Sequence, residues 1–136
     1  MEALPLRLTP GADLRETLEA EAAARSSSAT FVISAIGSLT LARLRLAGAA
    51  EPDILRGDLE ILTLAGTVAR NGAHLHMSVA DSHGRVLGGH VAHGCIVRTT
   101  VEVLLLLLPD WSFNREADPA TGFAELVVSR RGSNAA

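Results

Sequence analysis

Closely spaced histidines are the residues of this sequence best suited to chemistry. His74 and His76 alternate with the apolar Leu75 and Met77, which is the period of a β-strand with one buried and one polar face. His90 lies in a second short run of strand-forming residues further along the chain. Imidazole nitrogens bind zinc and related transition metals, so a fold that gathers these three rings would create a metal site.

A predicted β-hairpin gathers the three rings. The sequence Asp-Ser-His-Gly at 81–84 fits a type I turn whose glycine adopts a positive φ and closes a three-residue loop with a bulge. The register of this loop pairs His76 with His90 on the polar face. Cross-strand neighbours lie roughly 5 Å apart at Cβ and next-but-one residues about 7 Å, so His74 can reach the same ion. We therefore predict a metal site made of His74, His76 and His90.

Three neutral imidazoles favour zinc, copper, nickel or iron over magnesium or calcium, and they leave a coordination position for water or substrate. The alternative interpretation is a solvated strand face that binds nothing. His83 falls in the turn and His93 on the opposite face from His90, so we expect neither to be a ligand. Ser78, beside the triad, and Arg98 are our candidates for contact with a bound ligand.

Two carboxylates interrupt apolar strands and are candidate catalytic residues. Glu60 and Glu102 each lie within a run of predicted buried strand, where a charge is costly unless it is paired or hydrogen-bonded. Either residue could act as a general acid or base beside the metal, or pair with Arg98 or Arg56. The alternative is that both lie on a solvated or subunit-facing side of their strands.

Composition limits the classes of partner. The chain has 136 residues, 48% of them hydrophobic, which suits one domain with a substantial core. Its net charge of -3 and its three Phe, one Trp and no Tyr disfavour a nucleic-acid surface built on basic charge and stacking rings. The leucine run at 104–108 is far shorter than the ~20 residues of a membrane helix, so we predict a buried strand and no membrane partner.

The sequence also predicts a cytoplasmic protein. Cys95 is the single cysteine, so it cannot form an internal disulfide, and its apolar surroundings predict a buried, unreactive thiol. The N-terminus lacks a charged segment followed by an apolar run and a cleavage site.

Periodicity predicts an α+β domain of many strands with one or two helices. A helix of about four turns begins near Asp13, with Leu14 and Leu18 on one face. We expect residues 1–129 to form the single domain and 130–136 a short flexible tail. Outside the hairpin, the predicted strands are 4–8, 30–46, 58–66, 101–108 and 123–129. The strand at 30–46 is expected to carry bulges at 37–38 and near Ala42, and residues 109–122 to form a loop.

Several motifs together resemble the plant and prokaryote conserved (PPC) domain, over nearly the whole chain. They are GDLEILTLAG at 57–66, HLHMS at 74–78, GGH at 88–90, GCIVRTTVEV at 94–103 and READPATG at 115–122. The resemblance implies a compact α+β fold with a large, mainly antiparallel sheet, assembled as a homotrimer, and histidines similar to the metal set of some prokaryotic members. It also implies a DNA-binding label, which comes from plant members with an Arg-Gly-Arg-Pro AT-hook; this sequence lacks that motif, as in the stand-alone prokaryotic type.

Three functions are consistent with these features. The first is a homotrimeric regulatory or ligand-binding module that holds a divalent metal, zinc in particular, and through it a small anionic ligand. The second is a zinc-dependent lyase or hydrolase acting on a small carboxylic acid, because the fold is similar to that of acetolactate decarboxylase. The third is DNA binding without an AT-hook, which the acidic net charge disfavours.

Overall fold

The computed structural model describes residues 1–132, which form eight strands and one helix. The predicted tail begins inside the last strand, which ends at Arg130, and residues 133–136 lie outside the described part of the chain. In chain order the elements are β1 (Glu2–Leu8), α1 (Leu14–Ala24), β2 (Ala29–Arg45), β3 (Asp53–Ala69), β4 (Gly72–Ala80), β5 (Val86–Val91), β6 (Ile96–Leu107), β7 (Trp111–Ala117) and β8 (Ala124–Arg130).

Six of the strands form one antiparallel sheet in the order β1-β6-β2-β3-β4-β5. The sheet also closes on itself, because Leu44 and Arg45 at the end of β2 pair with Val91 and His90 of β5. Strands β7 and β8 form a separate hairpin. The predicted α+β fold with a mainly antiparallel sheet is confirmed, and the closure brings β2 next to the histidine hairpin.

Helix α1 covers one face of the sheet with Leu14, Leu18 and Ala22, which are buried at the four-residue spacing of a single helix face. Asp13 caps its N-terminus by accepting a hydrogen bond from the backbone N–H of Glu16 at 3.1 Å. The helix has 11 residues, about three turns rather than the four predicted. It stops early because three serines follow Arg25, and serine favours turns over helix interiors.

The leucine-rich strand β6 is buried on one side only. Leu105 and Leu107 are buried, as predicted, but Leu104 is 39% exposed, because successive side chains of a strand point to opposite faces. No helix among residues 1–132 is both long and apolar enough to cross a membrane. The bulge predicted near Ala42 lies slightly earlier, where the pairing of β2 with both neighbours shifts between Leu39 and Leu41.

The loop predicted at 109–122 is wrong, because Trp111–Ala117 forms strand β7. The polar composition of this segment lacks the pattern of a strand, and tertiary contacts stabilise the strand instead. Phe113 is buried, packs edge-to-face on Phe31 with ring centroids 5.5 Å apart, and donates its N–H to Ser28 O at 2.9 Å. The closing strand predicted at 123–129 is β8, which pairs with β7.

Cys95 is fully buried, and burial raises the pKa of its thiol. We expect native protein to react with iodoacetamide at pH 8 at least ~100-fold more slowly than protein unfolded in urea, because the reactive thiolate forms only on opening of the structure. Mass spectrometry of timed samples measures both rates. Equal rates in native and unfolded protein would show that the thiol is accessible.

Candidate metal centre

The turn between β4 and β5 fixes the register of the histidines. The N–H of Asp81 donates to Arg85 O at 2.9 Å, and the N–H of Gly84 donates to Asp81 O at 2.9 Å. Gly84 has φ +76°, as the predicted three-residue loop requires. The resulting register sets His76 opposite His90, which confirms the predicted cross-strand pair.

The three imidazoles converge on one point. His74 Nε2 lies 3.1 Å from His76 Nε2 and 3.2 Å from His90 Nδ1, and the last two nitrogens are 3.1 Å apart. The rings of His74 and His90 are nearly parallel, at 12°, whereas that of His76 stands across both. Each of these nitrogens carries either a proton or a lone pair, so three of them in mutual contact leave at least two protons or two lone pairs facing each other. A cation at the centre resolves this repulsion.

The spacing fits a metal ion. Tetrahedral zinc with Zn–N bonds of ~2.0–2.1 Å holds its ligand nitrogens roughly 3.3 Å apart, within a few tenths of an ångström of the separations here. Among the described residues, the group of ligand atoms that could share one ion consists of His74, His76 and His90. A donor set of three neutral nitrogens suits zinc and its neighbours in the transition series and leaves at least one coordination position open.

The charge state of the site also suits a metal. Partial burial is the main cause that lowers the pKa of His74 and His90. Nearby positive charge lowers both further: His76 and Arg115 act on His74, and Arg45 acts on His90. These two imidazoles are therefore neutral at pH 7, which is the form that binds metal.

A cleft of about 950 Å³ opens beside the triad, with His74 and His90 in its wall. Arg45 reaches it from β2, as the cross-strand partner of His90. Arg115 reaches it from β7 and donates to Thr67 Oγ1 at 2.6 Å, and Thr67 is the cross-strand partner of His74. The remaining charged residues of the lining are Arg15 and Glu125, and small residues at 47–50 form part of the wall.

Two glycines allow the strands to approach closely at the site. A Cβ at Gly89 would lie 2.7 Å from the backbone oxygen of Arg45, where β5 meets β2. A Cβ at Gly66 would lie 2.1 Å from the backbone oxygen of His74, where β3 meets β4. Side chains at these positions would push apart the strands that carry the histidines.

The candidate catalytic carboxylates lie away from the triad. Glu60 and Glu102 are exposed, which agrees with the interpretation that both lie on a solvated or subunit-facing side of their strands. Each points to the face of its strand opposite the buried leucines and valines, because side chains alternate. Neither pairs with Arg98, which lies 3.2 Å from Asp58 instead.

Of the other predicted site residues, Ser78 lies close to the triad and Arg98 lies far from it. Ser78 lies two residues beyond His76 on the same face, with its hydroxyl 2.7 Å from that of Thr63. Arg98 is on β6, which β2 and β3 separate from β4 in the strand order, so the structure does not bring it to the triad. His83 is exposed in the turn.

His93 contacts the helix rather than the triad. Its Nε2 lies 3.0 Å from Glu19 Oε2, and Glu19 Oε1 accepts from Arg15 Nε and from the N–H of Ala73, each at 3.0 Å. Burial raises the pKa of Glu19, but these hydrogen bonds outweigh it and lower the pKa overall. The carboxylate thus connects α1 to the residue that precedes His74.

Sequence reasoning missed the arginines of the cleft. Arg45 follows the bulge in β2, which changes the face on which its side chain falls, and Arg115 lies in the segment predicted as a loop. Arg15 lies on α1 beside Glu19. The available signal was the absence of lysine, since arginine suits anion recognition, but it did not indicate which of the twelve arginines face the site.

A family model of the Plants and Prokaryotes Conserved (PCC) domain matches residues 1–109. The chain belongs to this family. The resemblance to the PPC domain is therefore confirmed. The bifunctional protein GlmU of two Synechococcus strains is 47% identical to this PCC chain over 126 and 124 residues, or 93% and 91% of the chain. The matched region makes up 20% of each of those proteins.

Solved structures share the fold of this PCC chain. A hypothetical protein from Salmonella enterica is 38% identical with a TM-score of 0.93, over 96% of this chain and 94% of its own. A metal-containing protein from Archaeoglobus fulgidus is 27% identical with a TM-score of 0.81, over 93% and 94%. A protein from Bacteroides thetaiotaomicron, whose description proposes DNA binding, is 19% identical with a TM-score of 0.82 over 92% and 91%, which shows the fold alone.

Proposed function

We propose that this PCC-family protein is a homotrimeric regulatory or ligand-binding module that holds a zinc ion or a similar divalent metal through His74, His76 and His90. The observation that carries the proposal is the convergence of three ring nitrogens at 3.1–3.2 Å from one another. The description of the Archaeoglobus relative as metal-containing supports it. A small anionic ligand enters the adjacent cleft and reaches the open side of the ion.

The bound ion supplies a Lewis acid, and the protein supplies position and charge. Arg45 and Arg115 attract and orient an anion beside the triad, and the pairing of β4 with β5 keeps the three rings in place. A lyase or hydrolase acting on a small carboxylic acid is the alternative. It would use Glu125 for proton transfer, because Glu125 is the acidic residue of the cleft lining.

Exposed apolar side chains support an interface between copies of the chain, and the family resemblance makes a trimer the expected assembly. Ile36 is 58% exposed and Leu62 48% exposed, and both lie on the outer face of neighbouring strands with Ile33 and Leu104 close by in register. A contiguous apolar surface of this kind is typical of an interface. Sedimentation velocity at several concentrations tests the assembly, and a monomer throughout would refute it.

DNA binding without an AT-hook remains the second alternative, on the description of the Bacteroides relative. The net charge of -3 opposes it, because DNA affinity rests on neutralising phosphate charge. Affinity for duplex DNA that falls steeply with added salt would favour it.

Metal content tests the proposal directly. Elemental mass spectrometry of protein purified without an affinity tag should find about one equivalent of metal per chain. The variant His76→Ala should lose metal affinity roughly 100-fold or more, since removing a direct ligand costs at least as much as removing its supporting partners. Its circular dichroism and sedimentation should be unchanged, because the buried face of the hairpin is untouched.

The matched control is His83→Ala, which removes an exposed histidine of the same hairpin. It should keep its full metal content. Equal metal content in both variants would remove the triad as the site.

A further inference from the structure

Two guanidinium groups, those of Arg45 and Arg115, lie on either side of the histidine triad. The histidines stand on β4 and β5, and these strands are bordered by β3 on one side and by the end of β2 on the other. Arg45 lies on β2 opposite His90, and Arg115 is held on Thr67 of β3. The triad therefore lies between two positive charges.

These two arginines have unused hydrogen-bonding capacity. A guanidinium carries five N–H donors. Arg45 donates from Nη1 to Ala49 O at 3.2 Å, and Arg115 donates from Nη2 to Thr67 Oγ1 at 2.6 Å. Within residues 1–132, neither has a carboxylate at ion-pair distance.

Arg15, the third arginine of the cleft, already has an ion-pair partner and a backbone hydrogen bond. Its Nε pairs with Glu19 Oε1 at 3.0 Å, and its Nη1 donates to Val91 O at 3.0 Å. The lining contains one carboxylate, that of Glu125, against three guanidinium groups. After the pairing of Arg15 the cleft still has an excess of positive charge, before any metal ion is added.

We propose that the cleft binds a small organic dianion, of which a dicarboxylate is the simplest case, with its acidic groups on Arg45 and Arg115. The proposal rests on the proposed function, because the metal held by the triad would lie between those groups. A planar guanidinium can hold a carboxylate through two parallel hydrogen bonds, and two such pairs select a dianion over a monoanion. A volume of about 950 Å³ suits a small molecule.

Calorimetry of the metal-loaded protein with four probes tests this assignment. Succinate is the dianion, acetate the monoanion, succinamide the neutral molecule of similar shape, and inorganic phosphate an anion without a carbon skeleton. We expect succinate to bind at least ~10-fold more tightly than acetate or phosphate, and succinamide to give no measurable heat.

Variants identify the residues responsible. Arg45→Gln and Arg115→Gln should each weaken succinate binding about 10-fold or more while metal content is retained. The matched control is Arg98→Gln, which removes an exposed arginine of the same sheet that pairs with Asp58. It should change succinate affinity less than ~2-fold.

Three outcomes would overturn the assignment. They are succinate binding no tighter than acetate, phosphate binding as tightly as succinate, and equal effects of Arg98→Gln and Arg115→Gln. Repeating the titration on chelator-treated protein separates this inference from the metal proposal. Succinate binding that still depends on Arg45 and Arg115 supports the dianion site even if elemental analysis finds no metal on the triad.

Discussion

Gly66→Ala will destabilise the protein by roughly 4 kcal/mol or more, which for a domain of this size lowers Tm by about 10–20 °C. Gly66 has φ +151°, a conformation that L-residues rarely adopt. An added Cβ would lie 2.1 Å from His74 O and 2.9 Å from Leu75 Cα, both backbone atoms that cannot move without separating β3 from β4. Backbone strain and a steric clash therefore add. Urea titration followed by circular dichroism measures the loss.

Gly57→Ala is the matched control. Gly57 lies on the same strand with φ +124°, but a Cβ there has no heavy atom within 4 Å. This variant carries the conformational cost alone, roughly 1–3 kcal/mol. If Gly66→Ala and Gly57→Ala unfold at the same urea concentration, the close approach of β3 to His74 is incorrect.

We expect the affinity of the triad for metal to fall steeply as the solution becomes acidic. Three imidazoles must be deprotonated to bind one ion, so protons compete for three sites. Burial and neighbouring charge lower the pKa of His74 and His90, so their competition begins only below about pH 6.5, the ordinary value. Once His74 and His90 bind protons in the apoprotein, affinity falls by about 100-fold per pH unit, a factor of ten for each proton displaced. Zinc titrations with a chromophoric chelator between pH 5 and 8 measure this slope.

The apoprotein should respond to pH in the same direction. The pKa of His74 and of His90 is lower in the folded apoprotein than in the unfolded chain, so the unfolded chain binds more protons in acid. The free energy of unfolding of the apoprotein therefore decreases as pH falls below about 6.5 and is insensitive to these groups above it. In the zinc titrations described above, a metal affinity independent of pH between 5 and 8 would contradict ligation by histidine.

The histidine site was predictable because its determinants are local. Turn chemistry at 81–84 and the alternation around His76 fix the register within one hairpin, and a one-residue slip would move apolar side chains to the polar face. The structure reproduces that register, with His76 opposite His90. Four of the five family motifs likewise occur in strands of the six-stranded sheet, the motif at 115–122 being the exception, and the predicted fold is confirmed.

The arginine cleft was not predictable because it depends on long-range pairing. Arg45 reaches the site only because β2 closes onto β5, 45 residues later in the chain. Arg115 is positioned by Asn71, whose side-chain oxygen accepts from its N–H at 2.8 Å, and by the docking of Phe113. The exposure of Glu60 and Glu102 could not be decided from the sequence, because apolar neighbours within a strand do not show whether its second face is covered.

The closure of the sheet through β2 and β5 also bears on aggregation. Unpaired strand edges are templates for addition of strands from other chains. Leu44 and Arg45 shield the last residues of β5, which leaves β1 as the other edge of the six-stranded sheet. Strand β1 has seven residues and contains Pro5, which has no N–H to donate. Both edges of the six-stranded sheet are therefore poor templates for the edge-to-edge addition of another copy of the chain.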